Sequence, residues 1–106
     1  MGGTWVTDMR HFLDETGDLA AMRGPAANLA LFLGSIVGWV TSRGAMQPDR
    51  TNVPCRRNPG RARCVGEIVA NLTGEPGAIS WRCPECGDNG VVRGWEGTRW
   101  DRRAAP

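Results

Sequence analysis

This sequence has no lysine, no tyrosine and only one histidine, His11. Without lysine, every positive side chain is an arginine, a planar fork suited to phosphate and carboxylate groups. A lone histidine has no second imidazole to share a metal or a proton with, and His11 reads as a surface or cap residue. Catalytic constellations are missing too. There is no Ser/His/Asp set, no P-loop and no Gly-x-Gly-x-x-Gly opening a helix. The His-x-Glu and Pro-Cys-x-x-Cys elements of a zinc deaminase are also missing. These absences point away from an enzyme. The formal net charge, +2, is too small to imply a polyanionic partner by itself.

Long apolar runs are scarce as well. The opening, "MGGTWVTDMRHFLDETGD", carries acids where a signal peptide needs an apolar core, which predicts a cytoplasmic protein. The one sustained apolar stretch, residues 29–40, is shorter than the ~20 residues a bilayer requires. Arg23 and Arg43 flank it on both sides, so charge gives it no orientation. A membrane span is therefore not expected.

What is present divides into two halves. Residues 1–50 hold four arginines against five acids, and residues 51–106 hold nine against six. Any nucleic-acid contact belongs to the second half. In the first half, residues 5–16 predict a short amphipathic helix with Met9, Phe12 and Leu13 on one side and Gly17 ending it. A second helix is expected over 25–43, with Pro25 in its first turn. Leu29, Phe32, Leu33, Ile36, Val37 and Val40 recur there at helical spacing, a stripe able to pair with a partner helix or a second copy of the chain. Residues 1–47 thus read as a helical segment and 48–54 as a linker, where Pro, Asp and Asn cluster and periodicity stops. Residues 55–101 read as short strands over 65–72, 78–83 and 91–96, an antiparallel meander, followed by a frayed tail at 102–106. Asn89–Gly90 suits the positive φ of a tight turn. The fold class expected is α+β, a helical pair followed by a small three-stranded antiparallel zinc-ribbon-like or rubredoxin-like module.

Four cysteines carry the chemistry. Cys83-Pro-Glu-Cys86-Gly87 has the form of a knuckle, in which a tight turn aims two thiolates at one metal ion. Backbone N–H groups around such a turn steady the thiolate charge, and Gly87 supplies the positive φ that the residue after the second cysteine often needs. Cys55 and Cys64 complete a Cys-x8-Cys-x18-Cys-x2-Cys pattern. The middle spacing suits a four-cysteine zinc site, but the x8 spacing does not describe a knuckle. Asn58-Pro59-Gly60 could fold that loop back on itself. Zinc is the expected metal, four thiolates also suit iron, and a closed four-sulfur shell is structural rather than catalytic. Two disulfides and a Cys-x-x-Cys redox pair are the alternatives. A reducing compartment disfavours the first, and the missing helix after the pair disfavours the second.

Arg56, Arg57, Arg61 and Arg63 crowd the Cys55–Cys64 loop, and Arg82, Arg93 and Trp95 lie near the knuckle in sequence. Guanidinium groups interleaved with aromatics suit single-stranded nucleic acid, through phosphate contact and stacking. The competing reading makes tryptophan the filler of a small core and arginine its solvated face. Trp81, which alternates with Ile79 and Cys83, is expected in the core.

Residues 55–101 resemble a group of uncharacterised bacterial proteins with four cysteines. The likeness rests on the Trp-x-Cys-Pro-x-Cys-Gly-Asp-Asn-Gly motif at Trp81–Gly90 and the Trp95-Glu-Gly-Thr-Arg-Trp100-Asp101 close. The resemblance implies a zinc-ribbon-like metal module and no known reaction. The function expected is a small structural-zinc protein acting by binding. Nucleic acid is the first partner class, a protein partner through the 25–43 helix the second, and a rubredoxin-like electron carrier the third.

Overall fold

The computed structural model describes residues 5–20, 24–57 and 62–103. Within them a single α-helix lies on a five-stranded mixed sheet. Strand β1 is Trp5–Asp8, followed by one 3-10 turn at Met9–Phe12. Helix α1 is Pro25–Arg43, and β2 (Asp49–Pro54), β3 (Glu67–Leu72), β4 (Ile79–Arg82) and β5 (Asn89–Arg93) follow. The strand order is β1-β5-β4-β3-β2; β1 runs parallel to β5 and every other pair is antiparallel.

This corrects the expected helical pair and three-stranded module. Residues 5–16 do not form a helix. Trp5, Val6 and Thr7 favour an extended backbone, and β5 completes their ladder. Met9 and Phe12, three residues apart, are buried by a 3-10 turn, in which positions i and i+3 eclipse. The carboxylate of Asp8 caps that turn by accepting from the Arg10 N–H. Residues 49–54, read as linker, form an edge strand. Side chains mend its ladder at a bulge where Asn52 adopts φ 62°. There the Asn52 N–H donates to Glu67 Oε2 at 2.8 Å, and Thr51 Oγ1 donates to the Ile68 carbonyl at 2.8 Å. The β3-β4-β5 meander is thus the middle of a larger sheet.

Helix α1 matches its expected span. Pro25 sits in the first turn, and Gly44 ends the helix in the left-handed region, its N–H donating to the Val40 carbonyl. The stripe read as partner-facing is laid on the sheet instead. Phe32, Leu33, Ile36, Val37 and Val40 are buried and Leu29 is partly so. They meet Ile68, Ala70, Ile79, Trp81 and Val92, the inward residues of β3, β4 and β5, in one continuous core that also takes in Met9, Phe12 and Trp95. The Phe32 and Trp81 rings pack edge to face at 5.4 Å. The helix is long and apolar enough to cross a bilayer by length and composition, and half of its apolar window is buried inside the protein.

Two glycines let aromatic rings approach. Gly90 does not turn the chain; it lies in β5 opposite Trp81, whose indole covers it so closely that a Cβ would fall 2.6 Å from Nε1. Gly34 receives Trp100 in the same way. The segment after β5 therefore returns to the helix, and the Arg102 N–H donates to Thr41 Oγ1 at 3.0 Å. Arg102 and Arg103, read as frayed, are tied down; residues 104–106 lie outside the described residues.

Candidate metal centre

The four cysteines come from two loops at one end of the sheet. Cys55 follows β2 and Cys64 precedes β3, while Cys83 follows β4 and Cys86 precedes β5. Because β3 and β4 are antiparallel neighbours, these two connections lie side by side. Their four sulfurs fall within 4.8 Å of one another. Two of the separations are 3.7 Å (Cys55–Cys86) and 3.6 Å (Cys64–Cys83), each joining one loop to the other. A tetrahedral ion with metal–sulfur bonds near 2.3 Å needs sulfurs about 3.8 Å apart. The cluster is compatible with a single ion, and all four cysteines are free thiols.

Local structure aims each sulfur. In the knuckle, the Cys83 N–H donates to the Asp88 carbonyl at 2.7 Å and the Gly87 N–H to the Cys83 carbonyl at 2.9 Å. Gly87 adopts φ 81°, as the motif requires. In the longer loop, the Cys55 N–H donates to the Gly66 carbonyl and the Cys64 N–H to the Arg57 carbonyl, which folds the x8 spacing back on itself. The Asn58-Pro59-Gly60 turn signal and Arg61 lie outside the described residues. Gly66 is buried beneath the cluster, and a Cβ there would collide with Cys83 Sγ and crowd Glu85. The sequence carried no motif for Gly66; its need for bareness comes from the other loop.

The thiols are unequal. Burial pushes Cys55 up to about 12, against an Arg57 N–H that favours its thiolate. Burial also works to raise Cys83. The N–H groups of Cys86 and Glu85, together with the neighbouring thiols, outweigh it and hold that pKa below the ordinary value. At Cys64 the Gly66 N–H favours the thiolate, yet burial and the Cys83 thiol carry the net shift upward. Cys83 is thus shifted toward its thiolate while Cys55 and Cys64 are shifted toward the thiol, and a cation entering the cluster displaces protons.

Of the residues read as a nucleic-acid surface, only part remains available. Arg56, Arg63 and Arg82 are exposed, and the Arg56 guanidinium lies 5.8 Å from the Phe32 ring centre. Arg57 reaches Asp88 at 3.7 Å. Arg93 is held by Glu75 at 2.6 Å, and Trp95 is 1% exposed beneath the Arg103 guanidinium. Trp95 therefore offers no stacking face. Among the described residues the exposed tryptophan is Trp5, which the helical reading of residues 5–16 concealed; it lines a hollow with Arg56 and Arg57. His11 is exposed on the 3-10 turn and belongs to no metal cluster among the described residues. Comparison with family models, curated proteins and solved structures finds no match to this chain.

Proposed function

We propose that Cys55, Cys64, Cys83 and Cys86 hold one structural zinc ion that fastens the β2–β3 loop to the β4–β5 knuckle. The convergence of four sulfurs from two loops within 4.8 Å carries this reading. Four thiolates close the coordination shell and leave no position for water, so the ion organises the surface around it and performs no chemistry. A reducing, cytoplasmic setting keeps such thiols available. The likeness of residues 55–101 to bacterial four-cysteine proteins accords with this reading through its motif alone. The test is elemental analysis of freshly purified protein together with far-UV circular dichroism before and after a strong chelator. One zinc per chain, and a loss of signal on chelation, are expected. Iron with a reversible potential would favour the electron-carrier alternative.

The surface so organised suits single-stranded nucleic acid as a second reading, in an accessory or regulatory role. Its support is an exposed aromatic, Trp5, beside Arg56 and Arg57, with Arg63 and Arg82 exposed and without side-chain ion pairs among the described residues. Stacking on the indole and phosphate contact by the guanidiniums together suit an unpaired strand. Binding of an oligonucleotide should weaken steeply with salt and fall on Trp5→Ala. Binding indifferent to both would remove this reading. A partner docked on the 25–43 stripe is not proposed, because the sheet already covers it.

A further inference from the structure

A hollow of about 340 Å³ opens between the first turns of α1 and the knuckle side of the sheet. Its apolar wall includes Trp5, Leu29, Phe32 and Trp81, and Arg56, Arg57 and Asp88 also line it. We infer that this hollow is a binding site for a small amphipathic anion, a carboxylate carrying an apolar tail of roughly eight to twelve carbons.

Three observations select that class. The first is the wall, which is chiefly hydrocarbon and aromatic. A nucleobase placed there would leave polar edges without partners, at a cost of about 1–3 kcal/mol for each buried group. An alkyl or aryl tail meets no such cost. The second is size. An apolar cavity near 150 Å³ holds benzene, so this one holds roughly twice as many carbons. The third is charge. Arg57 and Asp88, 3.7 Å apart, largely offset each other. Arg56 keeps its charge against only the face of Phe32. The first turn of α1, which lines the same hollow, carries neither an acid nor a side-chain cap. The hollow thus has one positive charge in excess, which matches a single carboxylate and disfavours a polyphosphate beside Asp88. All three charged groups ride on the cysteine loops, since Arg56 and Arg57 follow Cys55 and Asp88 closes the knuckle. This site competes with the nucleic-acid reading for Trp5, Arg56 and Arg57 and does not rest on it.

The test is calorimetric titration of the full-length, metal-replete protein with decanoate, and separately with decanol, acetate and adenosine monophosphate, below micellar concentrations. Saturable one-to-one binding of decanoate is expected, with tryptophan emission shifting because Trp5 and Trp81 line the hollow. Decanol should bind about tenfold more weakly and acetate more weakly still. Arg56→Ala with Arg57→Ala should reproduce the tenfold loss for decanoate and leave decanol unchanged. Asp88→Asn should tighten decanoate. Ala26→Trp, at an exposed helical position on the hollow, should block both tails while circular dichroism stays unchanged. Decanol matching decanoate, adenosine monophosphate outcompeting it, or no saturable binding in a folded protein would each overturn the assignment.

Discussion

The two loops that carry the cysteines reach the same point by different means. The Cys83–Asp88 knuckle is closed by its own backbone, with hydrogen bonds of 2.7 and 2.9 Å and a glycine in the left-handed region. The Cys55–Gly66 loop is tied at its neck by the Cys55–Gly66 and Cys64–Arg57 bonds, and its sequence bears four arginines. The knuckle is closed by its own backbone; under the proposed zinc reading, the ion would fasten the long loop to it. Metal binding should therefore matter more to the long loop, and with it to Arg56 and Arg57.

The strongest way to break this comparison is to remove a buried ligand. Cys55→Ala should abolish stoichiometric metal and cost several kcal/mol in chemical denaturation, because a structural metal contributes folding free energy directly. Cys86→Ala, at the exposed rim, should leave a weaker three-sulfur site. Hydrogen exchange after chelation should show amides 55–66 losing protection before those of 83–88. Simultaneous loss would erase the distinction.

Glycine substitutions sharpen it. Gly66→Ala puts a methyl group against Cys83 Sγ and should cost about 1–3 kcal/mol while lowering metal affinity. Gly87→Ala meets open space but keeps φ 81°, and should cost about 1–2 kcal/mol with the site intact. Metal titrations of the two variants separate crowding from backbone strain.

Acidity gives a third handle. Cys55, pushed up to about 12 by burial, keeps its proton at neutral pH, so a thiolate-binding metal must release it. Apparent affinity should rise with pH, by about tenfold per unit for each proton released. A competition assay between pH 6 and 8 reads this slope, and a flat profile would mean that the ligands are already ionised. The smallest effect belongs to Arg57→Ala. The 3.7 Å pair with Asp88, exposed at its Arg57 end, is worth about 1 kcal/mol, so thermal stability should move little.

The knuckle, helix α1 and the three central strands were legible because their signals are local. Pro25, Gly44, the apolar stripe and Cys-Pro-Glu-Cys-Gly each act within a few residues. The two edge strands were not. In β2, only Thr51 is fully buried, and Asp49, Arg50, Asn52 and Pro54 are the polar and proline residues that an exposed edge tolerates. Strand β1 exists because of a parallel partner more than eighty residues away, which no local pattern announces. Met9 and Phe12 satisfy a 3-10 turn as well as an α-helix, so their spacing could not decide between the two. The same non-locality hid Gly66, whose constraint comes from Cys83, and misdirected Trp95, which ends in the core while Trp5 faces solvent. The four cysteines that cluster were readable as a set, although the x8 spacing matched no standard knuckle.

X-ray absorption at the metal edge of the purified protein tests the central claim most directly. A single shell of four sulfurs at about 2.3 Å is expected, with no nitrogen or oxygen in the first shell. Two or fewer sulfur neighbours, or a shell dominated by light atoms, would show that the two loops do not converge on one ion.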